Sequence, residues 1–185
     1  SSTEHNLKLD DGKKWLVEQD VDIACWIETG VPWHKRRRHK RLPELMRTDA
    51  WDHQITITSN NILDNCDKRQ FGGTATMLFN HVAATMNGSG YDSTGLGRWS
   101  WVKLQGKGNQ TTIIITAYNP CRSTLDRPST VYMQHKRYFT TIDRDICPRE
   151  AFREDLSHFI ATCQRRGNNI ILCIDLNKDI NCNNG

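Results

Sequence analysis

The sequence predicts a layered α/β fold, and three observations carry that prediction. Residues 169–177 read Asn-Ile-Ile-Leu-Cys-Ile-Asp-Leu-Asn, with an unbroken apolar run from Ile170 to Ile174. A short continuous run of this kind reads as a strand buried on both faces. Upstream, Phe152, Leu156, Phe159, Ile160 and Cys163 fall on one face of a helix that starts at Pro148. That helix leads directly into the apolar strand, the join typical of layered α/β proteins. Two further apolar strands, residues 21–27 and 113–118, also run into polar residues at their C-terminal ends.

The chain has 185 residues, enough for one domain with a real core. Its net charge is +4 and its pI about 8.7, a mild excess that permits a nucleic-acid partner without requiring one. No apolar stretch approaches the ~20 residues of a membrane helix, so no membrane partner is expected. The N-terminal residues, Ser1 to Asn6, lack the pattern of a signal peptide. Seven cysteines, at 25, 66, 121, 147, 163, 173 and 182, form no Cys-x-x-Cys pair. Their odd number and apolar settings predict reduced thiols, no paired-Cys zinc site and no disulfide-linked partner. The expected location is therefore intracellular, cytoplasmic or nuclear. Asp175 lies only ten positions before Gly185. A central strand so close to the end predicts a piece cut inside its domain.

In chain order, Lys13 to Gln19 reads as the end of a short helix with Trp15 and Leu16 turned inward. Val21 to Ile27 is a buried strand delivering Glu28, and Thr29-Gly30-Val31-Pro32 breaks it. His34 to Arg41 is eight basic residues without an acid. Such a block is either solvated or in contact with a phosphate backbone, which makes Lys35, Arg36, Arg37, Arg38, Lys40 and Arg41 candidate nucleic-acid ligands. Pro43 suits the first turn of a short helix through Leu45 and Met46. Gln54 to Thr58 alternates as a half-buried strand, 60–70 is loop, and Gly72 to Phe79 is a strand entered through two glycines. Met86 to Gly97 carries four glycines without the spacing of a dinucleotide fold or P-loop. Strands over Arg98 to Leu104 and Thr111 to Tyr118 form a hairpin about a glycine-containing loop. Arg122 to Thr141 is a polar connection, helical from Thr130 onward, and Arg165, Arg166 and Gly167 close the helix that begins at Pro148.

Three strands thus end in polar groups: Glu28, Tyr118, and Asp175 with Asn177. Residues two apart on an extended chain project to the same side. Together these groups describe one rim of a sheet. Oxygen donors of this kind suit a hard cation such as Mg²⁺, acting on a phosphate substrate.

The ordered segments Trp26-Ile27-Glu28-Thr29, Gly72-Gly73-Thr74-Ala75, Gly97-Arg98-Trp99, Thr116-Ala117-Tyr118-Asn119-Pro120 and Ile171-Leu172-Cys173-Ile174-Asp175-Leu176-Asn177 resemble the endonuclease/exonuclease/phosphatase superfamily. That group includes AP endonucleases, DNase I-like enzymes, inositol polyphosphate phosphatases and retrotransposon endonucleases. The resemblance runs from about Asp20 to Asp179 and treats residues 1–185 as a single domain, truncated at both ends. It implies a four-layer α/β sandwich of two packed mixed sheets flanked by helices, here partial. It also implies Mg²⁺- or Mn²⁺-dependent hydrolysis of phosphate esters. Glu28 matches the metal-binding glutamate and Tyr118 the tyrosine that contacts the scissile phosphate. Asp175 matches the aspartate that orients or deprotonates the attacking water, and Asn177 the asparagine that holds the phosphate or nucleophile.

Departures from the family pattern are specific. Ile174 stands where the family has glycine, and Cys121 where many members have asparagine. The early strand bearing another asparagine is expected upstream of Ser1, since Asn6 lies in a segment unlike a strand. The closing motif with the catalytic histidine is absent, because no histidine follows Asp175. The expected function is that of a DNA endonuclease domain of a retroelement or polyprotein, with DNA as partner. The 185 residues by themselves are expected to be inactive. Two alternatives stand beside it: a phosphatase or phosphodiesterase acting on small or lipid phosphates, and a non-catalytic remnant of the fold.

Overall fold

A computed structural model describes residues 2–63, 70–122 and 129–177. Within these, the chain is a mixed α/β protein with five helices and two sheets. The elements in order are α1 (Ser2–Glu18), β1 (Ile23–Ile27), α2 (Leu42–Leu45), β2 (Gln54–Ser59), β3 (Thr74–Phe79), α3 (Asn80–Ala84), β4 (Met86–Tyr91), β5 (Trp99–Gln105), β6 (Thr111–Tyr118), α4 (Val131–Thr141), α5 (Pro148–Arg165) and β7 (Asn168–Asp175).

The first sheet has the order β1-β3-β2 and is antiparallel throughout. The second has the order β4-β5-β6-β7, antiparallel except for the parallel pair β6/β7. Parallel neighbours need a long crossover, and α4 and α5 supply it.

Strand alternation sorts the side chains into three apolar clusters. Ala24, Ala75, Met77 and Phe79 face one way and meet Leu16 of α1, Leu42 of α2, Met46 and Trp51. Ile23, Cys25, Ile55, Ile57 and Leu78 face the other way and meet Val102, Leu104 and Ile114 of the second sheet. The far face of that sheet, with Trp99, Ile113, Ile115 and Ala117, packs on Phe152, Leu156 and Cys163 of α5. The apolar helix face read from the sequence is thus the one that α5 buries.

One part of the layer between the sheets is polar. Thr76 Oγ1 lies 2.7 Å from Thr116 Oγ1 and 3.2 Å from Ser100 Oγ, and Thr74 donates to Ser100 Oγ at 3.0 Å. All four side chains are fully buried. Their mutual hydrogen bonds offset the desolvation that lone hydroxyls would suffer. This ladder lies under the strand ends that carry Glu28 and Tyr118, because Thr74 pairs with Ile27 and Thr116 precedes Tyr118 by two residues.

Most of the expected elements are present, with four corrections. β7 is not buried on both faces: Ile171 is 51% and Leu172 40% exposed. It pairs only with β6 among the described strands, and α5 covers one face of it. β1 is likewise open at its C-terminal end, where Trp26 and Ile27 are exposed. Trp15 points outward at 58% exposure, and only Leu16 of that pair enters the core. Glycine-rich 86–91 forms β4, a strand the glycines concealed. Gly90 lets Trp101 of the neighbouring strand lie across it, since a Cβ there would sit 2.7 Å from the indole. The loop expected over 60–70 falls partly outside the described residues.

No described helix is long and apolar enough to cross a membrane. The five described cysteines, Cys25, Cys121, Cys147, Cys163 and Cys173, are all free thiols.

Candidate functional site

The ends of β1, β6 and β7 meet at the mouth between the two sheets. β6 and β7 are in parallel register, so Tyr118 and Asp175 are direct cross-strand neighbours. Glu28 follows the last residue of β1, in the opposing sheet. The Tyr118 hydroxyl donates to Glu28 Oε1 across that gap. A side chain from each sheet thus closes the mouth.

Asp175 and Asn177 form a tight turn off the end of β7. The Asn177 backbone N–H donates to Asp175 Oδ1 at 2.8 Å, and its side-chain amide donates to the Asn119 carbonyl at 2.7 Å. Asn119 returns the link: its amide donates to the Leu176 carbonyl at 3.2 Å, and its backbone N–H to the Asp175 carbonyl at 2.9 Å. Arg149, near the start of α5, donates to the carbonyls of both Pro120 and Leu176, at 2.9 and 3.0 Å. The two loops are therefore fixed to each other and to a helix. Asn119 and Arg149 escaped the sequence reading. Asn119 stood beside a candidate in Tyr-Asn-Pro, but nothing in the local sequence of Arg149 marks it.

Two of the candidates hold unusual backbones. Glu28 has φ of 50° and Asn177 φ of 46°, in the left-handed region. Asparagine tolerates that region because its amide can bond locally, whereas glutamate has no such compensation. Strained non-glycine positions collect at functional sites. The strand pairing continues past Glu28, with Thr29 N–H on the Gly73 carbonyl and Gly30 N–H on the Gly72 carbonyl. Gly73 has φ of 88°, and a Cβ there would meet Thr29 Oγ1 at 2.8 Å, so this close passage requires glycine.

Burial raises the pKa of the Tyr118 hydroxyl, and the hydrogen bond and negative charge of Glu28 raise it further. Tyr118 therefore stays a proton donor and presents O–H, not phenolate, at the mouth.

The donors gathered here are oxygens: two carboxylates, a carboxamide and a phenol. Glu28 keeps Oε2 in addition to the oxygen that Tyr118 engages. Among the described residues no three His, Cys, Asp or Glu side chains converge as a ready-made metal cluster. This arrangement fits a cation such as Mg²⁺, which takes one or two carboxylates and fills its shell with water and substrate phosphate. Among the described residues it lacks the closed set of nitrogen and sulfur ligands that a structural zinc site requires.

The basic block forms two single turns of 3-10 helix, Trp33–Lys35 and Arg38–Lys40. Lys35, Arg37, Arg38, Lys40 and Arg41 are exposed, and Arg36 is half-buried. Arg41 Nε donates to the Arg36 carbonyl at 3.1 Å, which folds the block back on itself. Arg38 lies 3.8 Å from Glu44, a solvent-exposed pair of little energetic weight. Trp33, at the root of the block, donates from Nε1 to Thr29 Oγ1 at 3.3 Å. The cationic segment is thereby tethered to the residue next to Glu28.

Compared with known proteins, the chain matches no protein-family model, and no curated protein matches it in sequence.

Proposed function

We propose that this chain is the nuclease portion of a Mg²⁺-dependent phosphodiesterase of the endonuclease/exonuclease/phosphatase superfamily, acting on DNA. The observation that carries the reading is the Tyr118–Glu28 hydrogen bond across the two sheets, beside the Asp175–Asn177 turn. Four residues singled out by their place at strand ends belong to three separate segments, and they gather around one mouth. Two sheets packed face to face, with helices against their outer faces, support a four-layer sandwich of the DNase I type.

In this reading Glu28 would hold the cation, a hard ion of the kind that pairs one or two carboxylates with a phosphate substrate. When bound, the metal neutralises charge that develops on the phosphate. Tyr118 turns its single hydroxyl hydrogen bond from Glu28 to a phosphate oxygen. Its raised pKa keeps the proton available at neutral pH. Asp175 orients the attacking water and accepts its proton. Asn177 holds the opposite side of the phosphate, and its αL backbone, locked by Asp175 and Asn119, fixes that direction. The exposed cations of 35–41 supply backbone charge neutralisation for a polyanion longer than one phosphate.

The test is nicking of supercoiled plasmid by a protein carrying this chain. Nicking is expected with Mg²⁺ and not with a chelator. Glu28→Ala and Asp175→Ala are each expected to lower the rate on the order of 100-fold or more. Full nicking by Asp175→Ala would remove Asp175 from its role, and phosphate release from small esters without nicking would replace DNA as the substrate.

A further inference from the structure

A cavity of about 430 Å³ opens beside the site, along β2, the edge strand of the first sheet. Trp33 and Ile62 give it apolar walls, Asn60 a polar one, and His34 and Arg41 a basic mouth. Tyr91, from β4 at the edge of the second sheet, stands over it. Ser59, which lines it, pairs with Thr74, and Thr74 also pairs with Ile27 next to Glu28. Two strand spacings separate Ser59 from Ile27, roughly 10 Å. The Trp33–Thr29 hydrogen bond joins the cavity floor to the same strand end.

Tyr91 is 60% exposed at the outward position of the alternating strand β4 and lines the cavity, so its ring is available to a ligand. Asn60 is only 7% exposed, and its amide donates to His34 Nδ1 at 2.6 Å. With the amide donating, the imidazole carries its proton on Nε2, so His34 keeps a donor for a ligand. The volume falls in the range of small-ligand sites, and the lining mixes apolar Trp33, Leu42 and Ile62 with the hydroxyls of Thr56, Thr58 and Ser59 and the amide of Asn60. An exposed aromatic face, an amide wall and cations at the entrance match one chemical unit: a flat heteroaromatic base carrying a phosphate. Stacking of bases on aromatic side chains, alongside basic residues that track the backbone, is how single strands are bound without sequence readout.

We infer that this cavity is a subsite for one unpaired nucleotide lying next to the cut. Its base stacks on Tyr91, with the sugar-phosphate between His34 and Arg41. A fully paired duplex cannot offer a free base face there. The substrate class narrows to DNA with a gap, bulge, frayed end or single-stranded segment at the cleavage position, which includes the transiently unpaired stretches of an underwound supercoiled plasmid. This deepens the nuclease reading and rests on it for the word "cut", while the binding of the nucleotide itself does not depend on Glu28 or on metal.

The experiment measures fluorescence anisotropy in a chelating buffer, where no cleavage occurs. The probes are a matched duplex, the same duplex with one unpaired nucleotide, and a single strand. The unpaired nucleotide is a fluorescent aminopurine in a parallel series. The two probes with unpaired bases are expected to bind about 10-fold tighter than the matched duplex, with quenching of the aminopurine. Tyr91→Ala is expected to abolish both the preference and the quenching, and Tyr91→Phe to keep both. Tyr91 is exposed, so its loss does not threaten the core. Equal binding of all three probes, or a preference that survives Tyr91→Ala, overturns the subsite. Plasmid nicking without the preference overturns the subsite alone. Preference without nicking upholds the subsite and overturns the hydrolase.

Discussion

Glu28 and Asn177 pay different conformational costs for the same backbone region. Left-handed φ costs an ordinary L-residue roughly 1–2 kcal/mol because Cβ crowds the following carbonyl, and asparagine offsets part of that through its amide. Asn177 does so here by donating to Asn119, whereas the Glu28 side chain is turned to Tyr118. The strain at position 28 can be isolated by removing the carboxylate in two ways. Glu28→Gly and Glu28→Ala lose the same carboxylate and the same bond to Tyr118, but only glycine relieves φ of 50°. Glu28→Gly is expected to be the more stable by about 1 kcal/mol, read as the difference in urea midpoints. A glycine variant less stable than the alanine one, the order that backbone entropy alone gives, would mean that position 28 carries no strain. The identities of Glu28, Tyr118, Asp175 and Asn177 were legible because each ends an apolar run. Their backbone states were not, because φ at 28 and 177 is imposed by pairing with Gly72 and Gly73 and by the Asn119 loop, from distant parts of the chain.

Between elements, one buried ion network ties the second sheet to its helices. Arg98, fully buried at the start of β5, makes a two-pronged pair with Asp92 at 2.7 and 2.9 Å and reaches Asp155 of α5 at 2.8 Å. Arg144, between α4 and α5, holds the same Asp155 at 3.1 Å. Burial works to raise the Asp92 pKa, but the hydrogen bonds and charge of Arg98 win and hold it below the usual carboxylate value. His135 of α4 is buried against this network, and its Nδ1 has no hydrogen-bond partner. Burial lowers its pKa from 6.5 to about 3, with the positive charge of Arg98 adding to the shift and Asp92 opposing it. Above pH 6.5 the ring is neutral in both folded and unfolded chains and contributes no pH dependence. Below 6.5 the unfolded chain takes up a proton that the folded chain refuses, so stability falls until the pH reaches about 3. The slope for one such proton is about 1.4 kcal/mol per pH unit. Urea midpoints followed from neutral to mildly acidic pH are expected to fall in the native chain and to fall less steeply, by that one proton, in His135→Leu. Parallel slopes would place His135 in contact with solvent. Sequence pattern read α4 and α5 correctly, down to Thr130, whose side chain caps α4 by accepting from Met133 N–H at 3.2 Å. It gave β4 no element, because Gly88 and Gly90 carry no strand signal until Trp101 is known to lie over Gly90.

At the scale of the whole molecule, the two sheets are unequal, and the larger one ends on its most apolar strand. The unbroken run at 170–174 promised a central position, but a run of that composition only states that both faces can be buried. It does not state which neighbours bury them. Ile170 and Ile174 are covered by the α5 cluster, whereas Ile171, on the opposite face, and Leu172 remain in water. Among the described residues no strand pairs with the outer edge of β7, which makes that edge a candidate for pairing with another chain. A flat edge strand with exposed branched side chains is a template for strand addition, and natural edges usually blunt it with lysine, proline or a bulge. Between Asn168 and Asp175 the strand has none of these. The chain is therefore expected to self-associate through β7. Sedimentation velocity should show larger species growing with protein concentration. Lysine in place of Ile171 and Leu172 should return the chain to a monomer while leaving the Asp175–Asn177 turn intact, because both positions lie upstream of it and are already exposed. A native chain that stays monomeric at high concentration would mean that the β7 edge is protected in solution. Self-association unchanged by the two lysines would move the contact to another surface.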